Sequence, residues 1–101
     1  MIIYNVTVKV EAEIAEPYLN WLKEDHIPKI MATGCFTEYR ICRMLDLDEG
    51  DGPTLVVQYH APARESYETY LRDHAPRLRE EAFERWGNRF LAYRSLMEFV
   101  Q

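Results

Sequence analysis

The segment Leu22-Lys23-Glu24-Asp25-His26-Ile27-Pro28-Lys29-Ile30 recurs without a gap as Tyr70-Leu71-Arg72-Asp73-His74-Ala75-Pro76-Arg77-Leu78. Both copies run charged-Asp-His-apolar-Pro-basic-apolar, and both sit in stretches of helical period. A chain that carries one helical element twice, with strand-like segments around each copy, is confined to few topologies.

The strands are legible from alternation. Ile2, Tyr4, Val6, Val8 and Val10 alternate with Asn5, Thr7 and Lys9, the pattern of a half-buried strand. From Glu13 the period turns helical through Ile14, Tyr18, Trp21, Leu22 and Ile30, with Pro17 in the first turn and Gly34 at the end. Pro28 predicts a kink near His26-Ile27, because it lacks the N–H that an unbroken helix needs there. Phe36 to Leu47 reads as a second strand, Asp48 to Pro53 as an exposed hairpin turn, and Thr54 to His60 as a third strand. A long helix begins near Arg64 and ends by Gly87, and a last strand runs from about Arg89 to Val100. The order β-α-β-β-α-β predicts an α+β, ferredoxin-like sandwich. Its antiparallel sheet is ordered 4-1-3-2 with both helices on one face. At 101 residues there is room for one core, so residues 1–101 are expected to form one domain.

Alternation also assigns faces. Tyr4, Val6, Val8, Tyr39, Ile41, Leu55, Val57, Tyr59, Leu91, Tyr93 and Met97 are expected beneath the helices. Ile3, Asn5, Thr7, Lys9, Glu38, Arg40, Cys42, Met44, Val56, Gln58, His60, Phe90, Ala92, Arg94, Leu96 and Glu98 fall on the opposite, open face. That face mixes apolar and charged side chains, and a second copy of the chain is the simplest cover for it, so a homodimer is expected.

Charge limits the partners. With 17 acidic against 12 basic side chains the net charge is -5, and no basic stripe marks a nucleic-acid or anionic-membrane surface. The opening Met1-Ile2-Ile3-Tyr4-Asn5 lacks the basic flank of a secretory signal, and no run is long and apolar enough to span a bilayer. If Cys35 and Cys42 shared one extended strand they would lie ~23 Å apart on opposite faces. Reduced thiols and a cytoplasmic location are therefore expected.

Three histidines draw attention. His26 and His74 share helical phases with apolar neighbours and could serve as a general base or a ligand; the blander reading has each imidazole hydrogen-bonding a carbonyl freed by the nearby proline. His60 belongs with Asn5, Lys9, Arg40, Gln58 and Arg94 in a polar set on the open face, able to line a cavity for a small anionic or phenolic ligand. The alternative there is ordinary cross-strand pairing with Glu38 and Glu98. No metal is expected, since neither His nor Cys shows ligand spacing, and the acidic Asp46–Asp51 loop lacks calcium-loop spacing.

The strand-helix order, the mixed open face and the helical His-x-Pro elements resemble the dimeric α/β-barrel superfamily. Within it, Met1-Ile2-Ile3-Tyr4-Asn5-Val6-Thr7, Lys23-Glu24-Asp25-His26-Ile27-Pro28, Ala32-Thr33-Gly34-Cys35-Phe36 and His74-Ala75-Pro76-Arg77-Leu78 resemble a family of short bacterial proteins of unknown function. The resemblance implies a barrel-forming dimer and brings no settled activity. It leaves open a small-molecule binder without a cofactor, a cofactor-independent monooxygenase or isomerase, and haem binding or degradation. For the last, Asn5, His74 and Trp86 are the residue types that haem-degrading relatives use.

Overall fold

A computed structural model describes all residues, 1–101, and places four strands in one antiparallel sheet. The chain runs through β1 (Ile2–Val10), α1 (Ala15–Trp21), α2 (Ile27–Met31), β2 (Glu38–Arg43), β3 (Thr54–Ala61), α3 (Arg64–Asp73), α4 (Ala75–Trp86) and β4 (Phe90–Glu98). The sheet order β2-β3-β1-β4 is the expected 4-1-3-2 read from the other edge. The helices cover one sheet face, and the core between the layers holds Tyr4, Val8, Val10, Tyr18, Leu22, Ile27, Val57, Tyr59 and Leu78.

The two copies of the repeated segment reach different local structures. Proline at the seventh position of each copy cannot donate to the carbonyl four residues back. In the first copy the helix widens: Leu22–His26 forms a π turn, with the Ile27 N–H bonded to the Leu22 carbonyl, before α2 continues. In the second copy the backbone breaks instead. His74 departs from helical geometry at φ -128°, and the ladder resumes when the Leu78 N–H donates to the His74 carbonyl at 3.2 Å. The one long helix expected over residues 64–87 is thus two, joined at His74.

Strand β2 is shorter than its apolar pattern. Phe36 is buried before the strand begins, stacked on Tyr4 and packed against Tyr59 and Tyr70, while Leu45 and Leu47 lie exposed beyond its end. The loop that returns to β3 is pinned against β1. Gly52, at φ +120°, lies so close that a Cβ there would stand 1.8 Å from the Val10 carbonyl oxygen. Lys9 Nζ donates to the Gly52 carbonyl at 2.7 Å, and the Val10 N–H to that of Pro53 at 3.1 Å.

Strand β4 has the opposite phase from the one its side-chain sizes predict. Val10 pairs with Phe90, Val8 with Ala92, Val6 with Arg94 and Tyr4 with Leu96, which sets these β4 residues on the helix side. Leu91, Tyr93 and Met97 accordingly occupy the open face, where all three are exposed. Both sets are apolar enough for either phase, so alternation alone does not choose. Pairing from Val10 outward and the packing of Phe90 on Tyr18, with ring centroids 5.7 Å apart, make the choice.

Candidate functional site

Tyr4 stands at the centre of an aromatic group, its ring 5.3–6.0 Å from those of Phe36, Tyr59, Tyr67 and Tyr70. Its hydroxyl is met from two sides: Arg79 Nη2 on α4 donates at 3.1 Å, and Arg94 Nε on β4 donates at 3.1 Å. A phenol oxygen has two acceptor sites and one O–H. With both acceptor sites taken by guanidinium groups, the O–H remains for a third partner. The ion pairs of the molecule engage Lys29, Arg43, His60, Arg72, Arg77 and Arg89, and leave Arg79 and Arg94 without a carboxylate.

These groups line a cavity of about 60 Å³ between sheet and helices. Most of its wall is apolar, from Val6, Val8, Leu22, Ile30, Val57 and Leu78, and no aspartate or glutamate lines it. His26 lines the same cavity from the π turn, its ring stacked on Trp21 with centroids 4.6 Å apart and planes 21° off parallel. Burial is the main cause that lowers the His26 pKa to about 4; Asp25 and Glu81 oppose it weakly, and Lys29 and Arg94 add to it. The imidazole is therefore neutral at ordinary pH. Burial also pushes Tyr18, Tyr59 and Tyr70 above the normal phenol range, so these hydroxyls stay protonated.

The histidines do not cap as the proline argument expects. Neither the His26 nor the His74 imidazole bonds a freed carbonyl; His26 stacks on Trp21, and His74 lies against Tyr70 with ring centroids 6.4 Å apart. Only His26 reaches the cavity, so the sequence repeat is not repeated in the placement of its histidine.

The polar set expected on the open face is divided. Arg94 is on the other side of the sheet, turned to Tyr4, because β4 takes the opposite phase. Lys9 is held at the sheet end by the Gly52 carbonyl. His60 is engaged by Glu38, with Nδ1 3.2 Å from the carboxylate, and by the edge of Phe99. Asn5, Gln58 and Arg40 do share the open face, in one cross-strand row that Ser95 completes. Asn5 donates to Thr7 and Ser95 at 3.3 and 3.4 Å, and its buried Oδ1 has no partner. Glu98 shares the helix-side phase of Arg94, not the open face.

The haem set is not assembled: Asn5 faces away from the helices that carry His74 and Trp86, and the cavity is far smaller than a porphyrin. No three His, Cys, Asp or Glu side chains converge as metal ligands would. Cys35 is buried and Cys42 exposed, both free. No helix is long and apolar enough to cross a membrane.

Sequence reasoning passed over Tyr4 and Arg79. Arg79 had a signal: it stands four residues after buried Ala75 and three before buried Ala82, inside the apolar stripe of α4.

A family model for a domain of unknown function, DUF4286, matches residues 1–100, and the chain belongs to that family. No curated protein matches the chain in sequence. Among solved structures it is similar to an ethyl tert-butyl ether D (EthD) family protein from Bacillus halodurans, at 15% identity and TM-score 0.73, over 99% of this chain and 100% of that one. A dimeric ferredoxin-like protein from an uncultured marine organism matches at 15% identity and TM-score 0.71, over 99% and 95%. SnoaB, a cofactor-independent oxygenase from Streptomyces nogalater, matches at 10% identity and TM-score 0.70, over 99% and 93%. At these identities the likeness establishes the ferredoxin-like fold.

Proposed function

We propose that this DUF4286 protein is a one-domain homodimer that binds a small anion in the cavity beneath its helices. The observation that carries the proposal is the Tyr4 hydroxyl held between two guanidinium groups that have no carboxylate of their own. Two guanidinium groups that meet at one neutral phenol oxygen, with no carboxylate beside them, keep N–H donors for an anion, and the free O–H of Tyr4 supplies a further donor. The cavity accommodates a head of few heavy atoms, since one water takes roughly 30 Å³ of liquid. Arg79 and Arg94 are themselves exposed, so the rest of a longer ligand extends past them to solvent. This location replaces the open face as the ligand site, and the open face is left for the partner copy. Dimeric ferredoxin-like structures of the same fold support that division.

Trp21, stacked on the cavity histidine, is a built-in reporter. Titration with acetate at pH 7 should change the tryptophan emission saturably. Arg94→Gln should weaken binding by about tenfold or more, as loss of a charge-assisted hydrogen bond does. Arg40→Gln, on the open face, should leave it unchanged. Normal binding by Arg94→Gln together with loss in Arg40→Gln would return the site to the open face.

A further inference from the structure

We propose that the cavity enolises small 2-oxo carboxylates: Tyr4 and the two arginines hold the carboxylate and keto oxygens, and His26 takes the proton from the carbon beside the ketone. The inference rests on the binding reading above and adds a reaction to it. Of the groups that line the cavity, Tyr18, Tyr59 and Tyr70 are buried phenols that stay protonated, Arg79 and Arg94 are permanent cations, and no carboxylate is present. His26 is the one side chain there with a basic lone pair at neutral pH. Its ring nitrogens bond no protein group, and they are not among the polar atoms sealed from solvent.

The placement of His26 has a local cause. It closes the π turn Leu22–His26, and the extra residue in that turn aims the ring along Trp21 into the space between sheet and helices. The second copy of the repeat, which breaks at His74 instead, leaves its histidine outside. π turns of this sort commonly mark functional positions.

The oxygen side is equally specific. A Tyr4 hydroxyl that already accepts from Arg79 and Arg94 donates to whatever oxygen enters, and its donation strengthens as that oxygen gains charge. In the step proposed, the C–H bond of the substrate breaks and its proton passes to the neutral imidazole. The electron pair forms the C=C bond, and the carbonyl π pair moves to oxygen, which becomes an enolate held by Tyr4 and a guanidinium. Return of the proton from His26 to carbon restores the keto form, so no oxidant or co-reactant is consumed. A weak base suffices where the oxyanion it creates is stabilised this directly.

Pyruvate, the smallest 2-oxo acid able to enolise, is the probe. In D2O at pD near 7 the wild-type protein should exchange the pyruvate methyl protons on the order of 100-fold faster than buffer, followed by loss of the proton NMR signal. His26→Gln should still quench with pyruvate in the Trp21 assay yet exchange at the buffer rate. Tyr4→Phe should lose both most of its affinity and its exchange. Wild-type binding of pyruvate with exchange at the buffer rate overturns the enolisation and leaves anion binding standing, as does wild-type exchange in His26→Gln. Failure of both pyruvate and acetate to bind overturns both.

Discussion

Burial, with the ring stacked on Trp21, gives the His26 imidazole a second measurable property besides its place in the cavity. The folded protein holds it at about 4, whereas an unfolded chain has the ordinary 6.5. Between those values the unfolded state binds the proton and the native state does not, so folding stability rises with pH across that window and levels off above it. Asp25, Lys29, Glu81 and Arg94 all bear on this group, and carboxylates elsewhere titrate in the same range, so the comparison has to be with a variant. Urea unfolding at pH 4.5 and 7.5 should show a wild-type gain that exceeds the gain of His26→Gln by about 2 kcal/mol. Equal gains would show that the imidazole is not held neutral by its burial. What the sequence could show of this residue was its apolar helical phase, shared with His74. What it could not show was which copy would widen into a π turn, because Pro28 and Pro76 remove the same hydrogen bond and only the packing around them decides the outcome.

Among the elements, the first strand, the helical stretches and the order of the sheet were legible because their periods are clean and right-handed crossovers leave one arrangement. Strand β4 was misassigned in phase, and with it Arg94, because Phe90, Ala92 and Leu96 on one side and Leu91, Tyr93 and Met97 on the other are both apolar sets. A one-residue shift moves every side chain to the other face, so the ligand site moved with it. The loop before β3 held a sharper constraint that composition disguised as ordinary turn chemistry. Gly50 and Gly52 look alike in Asp48-Glu49-Gly50-Asp51-Gly52-Pro53, yet a Cβ at Gly50 would meet only the flexible Asp48 carboxylate at 3.3 Å. At Gly52 it would collide with the Val10 carbonyl at 1.8 Å and the Ala12 nitrogen at 2.7 Å, at a φ that L residues rarely adopt. Gly52→Ala should cost about 3 kcal/mol and lower Tm by roughly 15 °C, while Gly50→Ala should stay within about 0.5 kcal/mol of wild type. Thermal unfolding of the two variants side by side checks this, and equal melting would remove the close approach from the account.

At the scale of the whole molecule, the helices protect one sheet face and leave the other with Leu91 58%, Tyr93 64% and Met97 41% exposed, next to Ile3 and Phe99. The sequence argued for a covered open face before the structure placed these residues there, and it argued from the wrong β4 side chains; the need for a cover survives because either phase leaves large apolar groups outside. The corrected phase makes the dimer test more discriminating. Tyr93→Lys with Met97→Lys places charge on the open face, where it should separate the copies and leave each chain folded. Leu96→Lys, one residue from Met97 but paired with Tyr4 toward the helices, should instead destabilise the chain by about 2 kcal/mol without separating the copies, because Leu96 packs half-buried against the core. Light scattering should give twice the 12.0 kDa of one chain for the wild type and a single chain mass for the double variant, with far-UV dichroism unchanged in the latter. The cross-strand row Asn5–Gln58–Arg40 lies on the same face, and the buried Asn5 Oδ1 in it has no partner within the chain, so a donor from a second copy would satisfy it. Because the anion cavity opens on the opposite side of the sheet, the separated double variant should still bind acetate. A wild-type mass of one chain, or a Leu96→Lys as stable as the wild type, would place the interface or the β4 phase elsewhere.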